Sequence, residues 1–492
     1  MRGRRPRPLD DGSVCGYCEG RVLFTNSAPS ESAPTRAIDK SPGIEAPAIT
    51  EPTRIPRAEH PISRSDISQA TLNTLYGLKD AGYQALMVGG GVRDLLAGVP
   101  PKDFDVATDA TPEQIKAVFG RNCRLIGRRF KLAHVRFGRE VIEVSTFRGP
   151  ISEDHERDDG GRILSDNVYG TLEEDAFRRD FTVNAMYYDI ADYAIVDYAG
   201  GLDDIRARHI RLIGDPVGRY REDPVRMLRA VRIARKLGFD IDGPTAEPIA
   251  ELAPLLRDVP AARLFEEVLK LLLSIDALKN FRGLREHGLF GELFPQTEAV
   301  LAGEDPDHGT ALAFIESALE ATVTRLKDEL PVSPAFLFGA LLWPAVEPRY
   351  RELMEEQGHA PAVAMAQAGS EVMARQVLRV AIPKRFGVPA QEIWTLQPRF
   401  ERRKGSRPKR LMAHPRFRAA YDFMLLRAER GAVDAELAQF WTEAQEGGDL
   451  PEPSRPEAED RPKRKRRRHR RCRRARDGGS GGGGDDGSSG GE

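Results

Sequence analysis

Cysteine is scarce here, four in 492 residues, which excludes a fold stapled by disulfides. Two of the four, Cys15 and Cys18, form a lone Cys-x-x-Cys. A zinc ribbon needs a second such pair and a redox motif needs a βαβ setting, and neither accompanies it. His308 likewise has no second histidine at metal spacing and is expected in a loop. Long apolar runs are missing, so no segment reads as a bilayer span. The opening residues, MRGRRPRPLDD, lack the apolar core of a secretory leader. These absences predict a soluble, cytoplasmic protein. Neither a helix-turn-helix nor a zinc module is present, and DNA is not expected as a partner. An excess of one charge sign is absent only on average, the formal net charge being −1. Residues 461–476 hold 12 Lys or Arg; without the last 32 residues the chain has 62 bases against 71 acids, a net of −9. An acidic body thus carries a polycationic tail, a pattern suited to phosphate backbones. A solvated tail with no partner is the plainer alternative.

What is present centres on Leu86–Pro112, LMVGGGVRDLLAGVPPKDFDVATDATP. It reads as a short buried strand, a glycine turn, a brief helix, a proline-marked loop and a second strand. Side chains two apart on a strand share a face, so Asp103 and Asp105 stand together while Phe104 points to the core. Paired carboxylates repel each other, and Mg²⁺ suits such a pair together with substrate phosphates. The glycine turn Gly89–Gly91 offers bare backbone N–H groups to a phosphate. Together these features suggest nucleotidyl transfer. A hairpin with two solvated Asp residues would give the DFD pattern alone.

Residues 1 to about 55 are rich in Pro, Ser, Arg and Glu and are expected to be disordered. Order is predicted to begin near Ile62, with Ser65 or Asp66 capping a helix that carries Leu72, Leu75, Tyr76 and Leu78 and ends at Gly82. Thr111 and Pro112 start another helix. Strands are expected at Cys123–Ile126, Ala133–Phe137, Val141–Phe147 and Ala194–Tyr198, with a mobile loop over 150–168. Glu143 could add a carboxylate near the metal site. In EEDAFRRDFTVNAMYY, Arg179 can clamp a triphosphate and Asp180 can orient it or complete the acidic site, a helix-end ion pair being the alternative. Asn184 is a candidate for a sugar hydroxyl.

From Tyr220 the pattern is helical. Asp223 and Arg226, one turn apart, offer acceptors and donors of the kind that read a base edge; a simple surface ion pair would look the same. Helices follow at Pro260–Leu272, Leu284–Leu293, Ala311–Leu326 and Pro334–Leu342. Bases and aromatics interleave over 393–428, including Phe400, Arg402, Arg403, Lys404, Phe417 and Arg418, which suggests a surface for single-stranded RNA. An amphipathic helical face is the competing reading. No fold is expected beyond Gly447.

GGGVRDLL…KDFDVATDATP, RRDFTVNAM and REDPVRMLRAVR together resemble the class II nucleotidyltransferases, which comprise CCA-adding enzymes and bacterial poly(A) polymerases. The resemblance covers roughly residues 60–430. LIGRRFKLAHV at Leu125–Val135, the helix at 259–272, RPKRLMAHPRFRAAYDF and the basic tail resemble the poly(A) polymerase branch. The resemblance implies an α+β fold. A disordered extension, 1–58, precedes a mixed-sheet catalytic head, 59–215. A helical neck follows at 216–275, then a helical body and RNA-binding region at 276–446, and a disordered polybasic and glycine-rich tail at 447–492. It implies that Asp103 and Asp105 hold metal and are catalytic and that Asp180 is the third carboxylate, with Glu143 the lesser candidate. Gly89, Gly90, Arg93 and Asp94 would hold the nucleotide, Arg179 its phosphate or sugar, and Asp223 and Arg226 its adenine. RNA would also meet Arg402, Arg403 and Lys404, and in the tail Arg464, Arg466, Arg467, Arg468, Arg470 and Arg471. The implied activity is AMP transfer from ATP to RNA 3′ ends with Mg²⁺, with RNA-decay proteins as further partners. The rivals are a CCA-adding enzyme, an RNA-binding protein with an inactive head, and a small-molecule nucleotidyltransferase.

Overall fold

The computed structural model describes residues 51–127, 131–149, 168–303 and 308–447. Its first part is an eight-stranded mixed sheet built from β1 (Thr53–Ile55), β2 (Ala85–Val88), β3 (Asp105–Thr108), β4 (Cys123–Ile126), β5 (Leu132–Phe137), β6 (Glu140–Thr146), β7 (Met186–Asp189) and β8 (Ile195–Asp197). The strand order is β1-β8-β7-β2-β3-β6-β5-β4. β3 and β6 run parallel, with Asp105 opposite Glu143; β2 and β3 run antiparallel, with Val88 opposite Asp105.

Alternation along the strands sets the two faces of the sheet. Ala85, Met87, Val106, Val135, Ile142 and Val144 join the main apolar core, which helix α1 (Gln69–Asp80) helps to cover. Leu86, Val88, Ala107 and Tyr187 face the other way, in a smaller cluster with Ala176 of another helix. Asp105, Glu143 and His134 belong by the same alternation to this second, less covered face. Local chemistry fixes the connections. α2 (Gly90–Leu96) starts at Gly89, whose φ of 74° is a backbone that a side chain would strain. α3 (Pro112–Phe119) starts with Pro112 behind a reciprocal Thr111–Gln114 capping box, a feature of about 1 kcal/mol. α4 (Leu172–Arg178) begins with a second capping box, Thr171–Glu174.

Some expectations need correction. Order begins before Ile62: β1 pairs antiparallel with β8 and buries Ile55, while Arg54 reaches Asp192 at 2.6 Å. Pro52 and Pro56 bracket this edge strand, a position where a missing N–H is tolerated. α1 is capped by Ser68, and not by Ser65 or Asp66, which lie in a separate one-turn helix capped by Ser63. His308 opens the helix His308–Lys327 instead of lying in a loop. The helix expected to stop at Leu342 continues through Pro344 and Pro348 to Glu355. Packing overrides the prolines there, since Trp343, Pro344 and Val346 are all buried. The segment at 284–293 divides at Gly288 into Ala277–Glu286 and Leu289–Leu293.

After α5 (Gly201–Ala207), a two-residue strand at His209–Ile210 pairs in parallel with another at Asp240–Ile241, and between and beyond them α6 (Pro216–Glu222), α7 (Val225–Leu237) and further helices make up the described remainder. Its centre is the set Pro334–Glu355, Pro361–Arg379 and Lys384–Phe400. They close around Trp394, whose Nε1 donates to the Gly339 carbonyl at 3.0 Å. Gly369 leaves room for that indole, since a Cβ there would lie 2.8 Å from its ring. No helix among the described residues is long and apolar enough to cross a membrane. Cys15, Cys18 and most of the 150–168 segment lie outside the described residues, as does the chain beyond Gly447.

Candidate active site

The carboxylate pair sits where β3 begins. Asp105 is the first strand residue and Asp103 is exposed just ahead of it. Half-buried Phe104 packs so closely on α2 that a Cβ at Gly91 would meet its ring at 2.9 Å. Burial, then the neighbouring Glu143 carboxylate, push the Asp105 carboxyl up to about 6, with Asp103 adding to the effect and Arg179 opposing it. Glu143 in turn faces His134 across the β5–β6 pair, at 3.3 Å from its Nε2. Asp103, Asp105 and Glu143 thus act on one another, with Arg179 and Arg229 opposing them. Among the described residues no group of three or more His, Cys, Asp or Glu forms a ready ligand set. A pair of hard oxygen donors beside a third carboxylate fits Mg²⁺, which takes its remaining oxygens from phosphate and water.

Gly89 and Arg179 meet this pair. A Cβ at Gly89 would lie 3.6 Å from Arg179 Nη1 and 3.8 Å from Asp105 Oδ2. Arg179 follows α4 and is held from behind. Its Nε donates to the Tyr187 hydroxyl at 2.9 Å and its Nη2 to Asp175 at 2.8 Å, while the Tyr187 hydroxyl donates to Asp175 at 2.7 Å. Asp175 and Tyr187 raise the guanidinium's pKa against the effect of burial, so it stays charged.

Arg93, Asp94 and Asp180 form a buried network behind the glycine turn. Arg93 donates to Asp94 and, through Nη1, to Asn184 at 2.7 Å. Asn184 donates to Asp180 at 2.8 Å, and Lys236 of α7 donates to Asp94 at 2.6 Å. Arg229 of α7 donates to Asp180 at 2.7 Å, and the Phe181 N–H donates at 2.8 Å. Burial opposes the charge on Asp180, but Arg229 and these hydrogen bonds outweigh it and hold the carboxyl well below the usual range. The structure thus gives Asp180, Arg93, Asp94 and Asn184 protein partners. Their side chains join the glycine-turn helix to α7.

Asp223 and Arg226 do not share a helical face as their spacing suggested. Asp223 terminates α6 with extended backbone, and Arg226 lies inside α7. Arg263, on the helix Ala261–Leu272, grips both Asp223 oxygens at 2.9 and 2.8 Å. Arg226 donates to Glu222 at 2.8 Å and to the Arg219 carbonyl at 2.7 Å.

The mixed basic–aromatic surface also separates on folding. Arg402, Arg403, Lys404 and Arg418 are exposed, but Phe400 and Phe417 are buried against Trp441. Those rings build the core and are not a stacking platform. Arg464, Arg466, Arg467, Arg468, Arg470 and Arg471 lie outside the described residues. Sequence reasoning missed Arg229, Lys236, Arg263 and the Asp175–Tyr187 pair. The i,i+4 spacing of Asp175 and Arg179 was a usable signal, whereas contacts between residues 40 or more apart left none.

Three family models match in order along the chain. They are the poly A polymerase head domain over 85–211, the probable RNA and SrmB-binding site of polymerase A over 238–301, and the polymerase A arginine-rich C-terminus over 357–475. The chain is 49% identical over 416 residues to poly(A) polymerase I of Salmonella typhi, which covers 83% of this chain and 89% of that protein. It is 48% identical over 417 residues to poly(A) polymerase I of Escherichia coli O6:H1, with the same coverage. A CCA-adding enzyme of Bacillus licheniformis is 39% identical, but over only 46% of this chain and 56% of that enzyme. In fold, the chain is similar to a solved tRNA-processing enzyme in an apo form, with a TM-score of 0.54 at 21% identity over 79% of this chain and 94% of that one. The chain belongs to the poly(A) polymerase family.

Proposed function

We propose that this poly(A) polymerase transfers AMP from ATP to the 3′ hydroxyl of RNA by two-metal nucleotidyl transfer. The 3′ oxygen bonds to the α-phosphorus as the bond to the β-phosphate oxygen breaks, and pyrophosphate leaves. The observation that carries this reading is the convergence of Asp105, Glu143, Arg179 and the Gly89 turn at the start of β3. Asp103 and Asp105 would hold Mg²⁺, with Glu143 beside them. Bound Mg²⁺ supplies Lewis acidity to the attacking hydroxyl and charge neutralisation to the departing pyrophosphate.

The chain's own groups do the positioning. Arg179, charged and fixed by Asp175 and Tyr187, meets phosphate or sugar. The backbone at Gly89 and Gly90 lets the triphosphate approach closely. Arg93, Asp94 and Asp180 hold that turn against α7. In this role Asp180 is a positioning residue. Asp223 would accept from the adenine N6 amino group and Arg226 would donate to N1. Arg263 fixes the Asp223 carboxylate in one orientation, which favours a single base geometry. Cytosine also shows a donor beside an acceptor, so this rigidity is what separates ATP from CTP. Cytoplasmic location and RNA-decay partners belong to the same proposal.

The test is AMP incorporation into RNA by Asp103→Ala and Asp105→Ala, with Mg²⁺ binding by calorimetry and RNA binding measured in parallel. Loss of incorporation and of Mg²⁺ binding with RNA affinity kept supports the assignment. Activity retained in both variants would remove it.

A further inference from the structure

Two cavities lie in the helical body, away from the carboxylate pair. One is about 370 Å³ and the other about 350 Å³. Trp343 and Arg427 line both and stand between them. The Arg427 guanidinium lies 4.5 Å over the Trp343 ring and donates to Glu347 at 3.1 Å and to Gln397 at 3.3 Å. Its Nε is buried and has no hydrogen-bond partner among the described residues. An unmade buried donor is a costly feature, and the helices around it are interrupted too. Pro344 and Pro348 interrupt the helix ladder beside the first cavity, and Pro398 interrupts the ladder beside the second. Such departures concentrate at functional sites.

The second cavity shows what it suits. Tyr350, Met354, Pro361 and Pro398 give it flat, apolar walls. Arg427 is already neutralised by Glu347, so it offers a donor and not a net charge. Glu401, at the rim, offers acceptors and disfavours a phosphate inside. Arg402 lines the same cavity and begins the exposed run Arg402, Arg403, Lys404. A basic strip beside a largely apolar, donor-bearing pocket matches a nucleic-acid strand with phosphates on the strip and one base turned inward.

We propose that the cavity between Tyr350, Pro361, Pro398 and Arg427 seats one unpaired base of the RNA strand upstream of its 3′ end. The Arg427 guanidinium donates to an acceptor on that base, and Arg402, Arg403 and Lys404 meet the flanking phosphates. The pocket tolerates different bases, because each has a flat face and an acceptor edge. This inference rests on RNA being the substrate. It adds a second anchor, remote from the chemistry, that keeps hold of the strand between additions.

The experiment uses the full chain and a set of RNA 20-mers, each with one 4-thiouridine placed at a different distance from the 3′ end. After irradiation, cross-linked peptides are mapped. The proposal expects one register to mark a peptide holding Tyr350, Met354 or Gln397–Arg402. Met354→Trp, which fills the cavity, should abolish that cross-link and weaken 20-mer binding about tenfold, the value of one stacked base. The same variant should extend a three-nucleotide primer as wild type does, because so short a strand never reaches the body. Arg427→Lys, which keeps the charge and loses the planar guanidinium, should weaken the 20-mer alone. Cross-links confined to other peptides in wild type, a measurement that needs no variant, would overturn the proposal. So would suppression of the cross-link by free AMP, which would make the pocket a mononucleotide site. A wild-type chain that binds and extends no RNA would sink the enzymatic reading as well, a result distinct from either.

Discussion

In the proposed reaction Asp103 and Asp105 carry the chemistry, and Glu143 beside the buried Asp105 is the reason a cation would be favoured there. Asp103→Ala is expected to cost three or more decades in AMP transfer, roughly 4 kcal/mol of barrier, while RNA affinity stays within about twofold. Single-turnover incorporation alongside filter binding checks this. Asp180 behaves differently. Its folded pKa lies below the ordinary value of about 4, so its stabilising contribution is complete above that value and is lost as pH falls through the folded pKa. Asp180→Asn leaves Arg229 without its counter-charge. Because Arg229 is a third exposed, the loss is discounted from that of a fully buried pair to about 2 kcal/mol. Urea midpoints of wild type and Asp180→Asn should differ most near neutrality and converge in acid. A gap that stayed constant below pH 4 would contradict the ion pair.

At the scale of elements, α7 ties the mixed sheet to the helices that follow it. It buries Val225, Leu228 and Val231 while sending Arg229 and Lys236 back to Asp180 and Asp94. The glycine turn depends on the same fixing. Gly89→Ala meets no steric clash, its Cβ lying 3.6 Å from the nearest atom, but costs about 1–3 kcal/mol, because φ 74° with ψ −134° is a backbone that side chains disfavour. The ATP KM is expected to rise about tenfold as the turn relaxes. Arg263→Ala should act on selectivity instead, narrowing the ratio of kcat/KM for ATP over CTP by releasing the Asp223 carboxylate. An unchanged ratio would show that the grip of Arg263 does not set the base.

Much of this scale was legible in the residues. Thr111–Pro112 announced α3, and the four apolar alternations between Cys123 and Tyr198 became β4, β5, β6 and β8. Cap and period are local signals. Phe400 and Phe417 misled because an aromatic among arginines looks the same whether it faces solvent or Trp441. The helix through Pro344 and Pro348 was hidden for a similar reason. A proline stop is a local rule, and the burial of Trp343 and Val346 that overrides it is a tertiary fact. Asp223 and Arg226 looked like one helical face from their spacing, but the chain gives Asp223 to Arg263 and Arg226 to Glu222, and Arg263, 40 residues from Asp223, gave no sign.

At the scale of the molecule, charge is divided between an acidic body and a basic tail. Residues 461–476 hold 12 Lys or Arg, and each phosphate they neutralise releases counterions. Deleting residues 461–492 should lower RNA affinity at low salt and flatten the slope of log affinity against log salt. An unchanged slope would show that the tail makes no phosphate contact. The exposed Arg402, Arg403 and Lys404 should preserve part of the dependence in the shortened chain.

The most direct test of the central claim is nucleotide addition by the purified full-length protein with Mg²⁺. One substrate is an RNA with an arbitrary 3′ end and the other a tRNA lacking CCA, with ATP or CTP supplied separately. The account predicts long tails from ATP on the arbitrary RNA and little use of CTP. Addition of two C residues to the tRNA, halting until ATP is supplied, would contradict it and make the chain a CCA-adding enzyme.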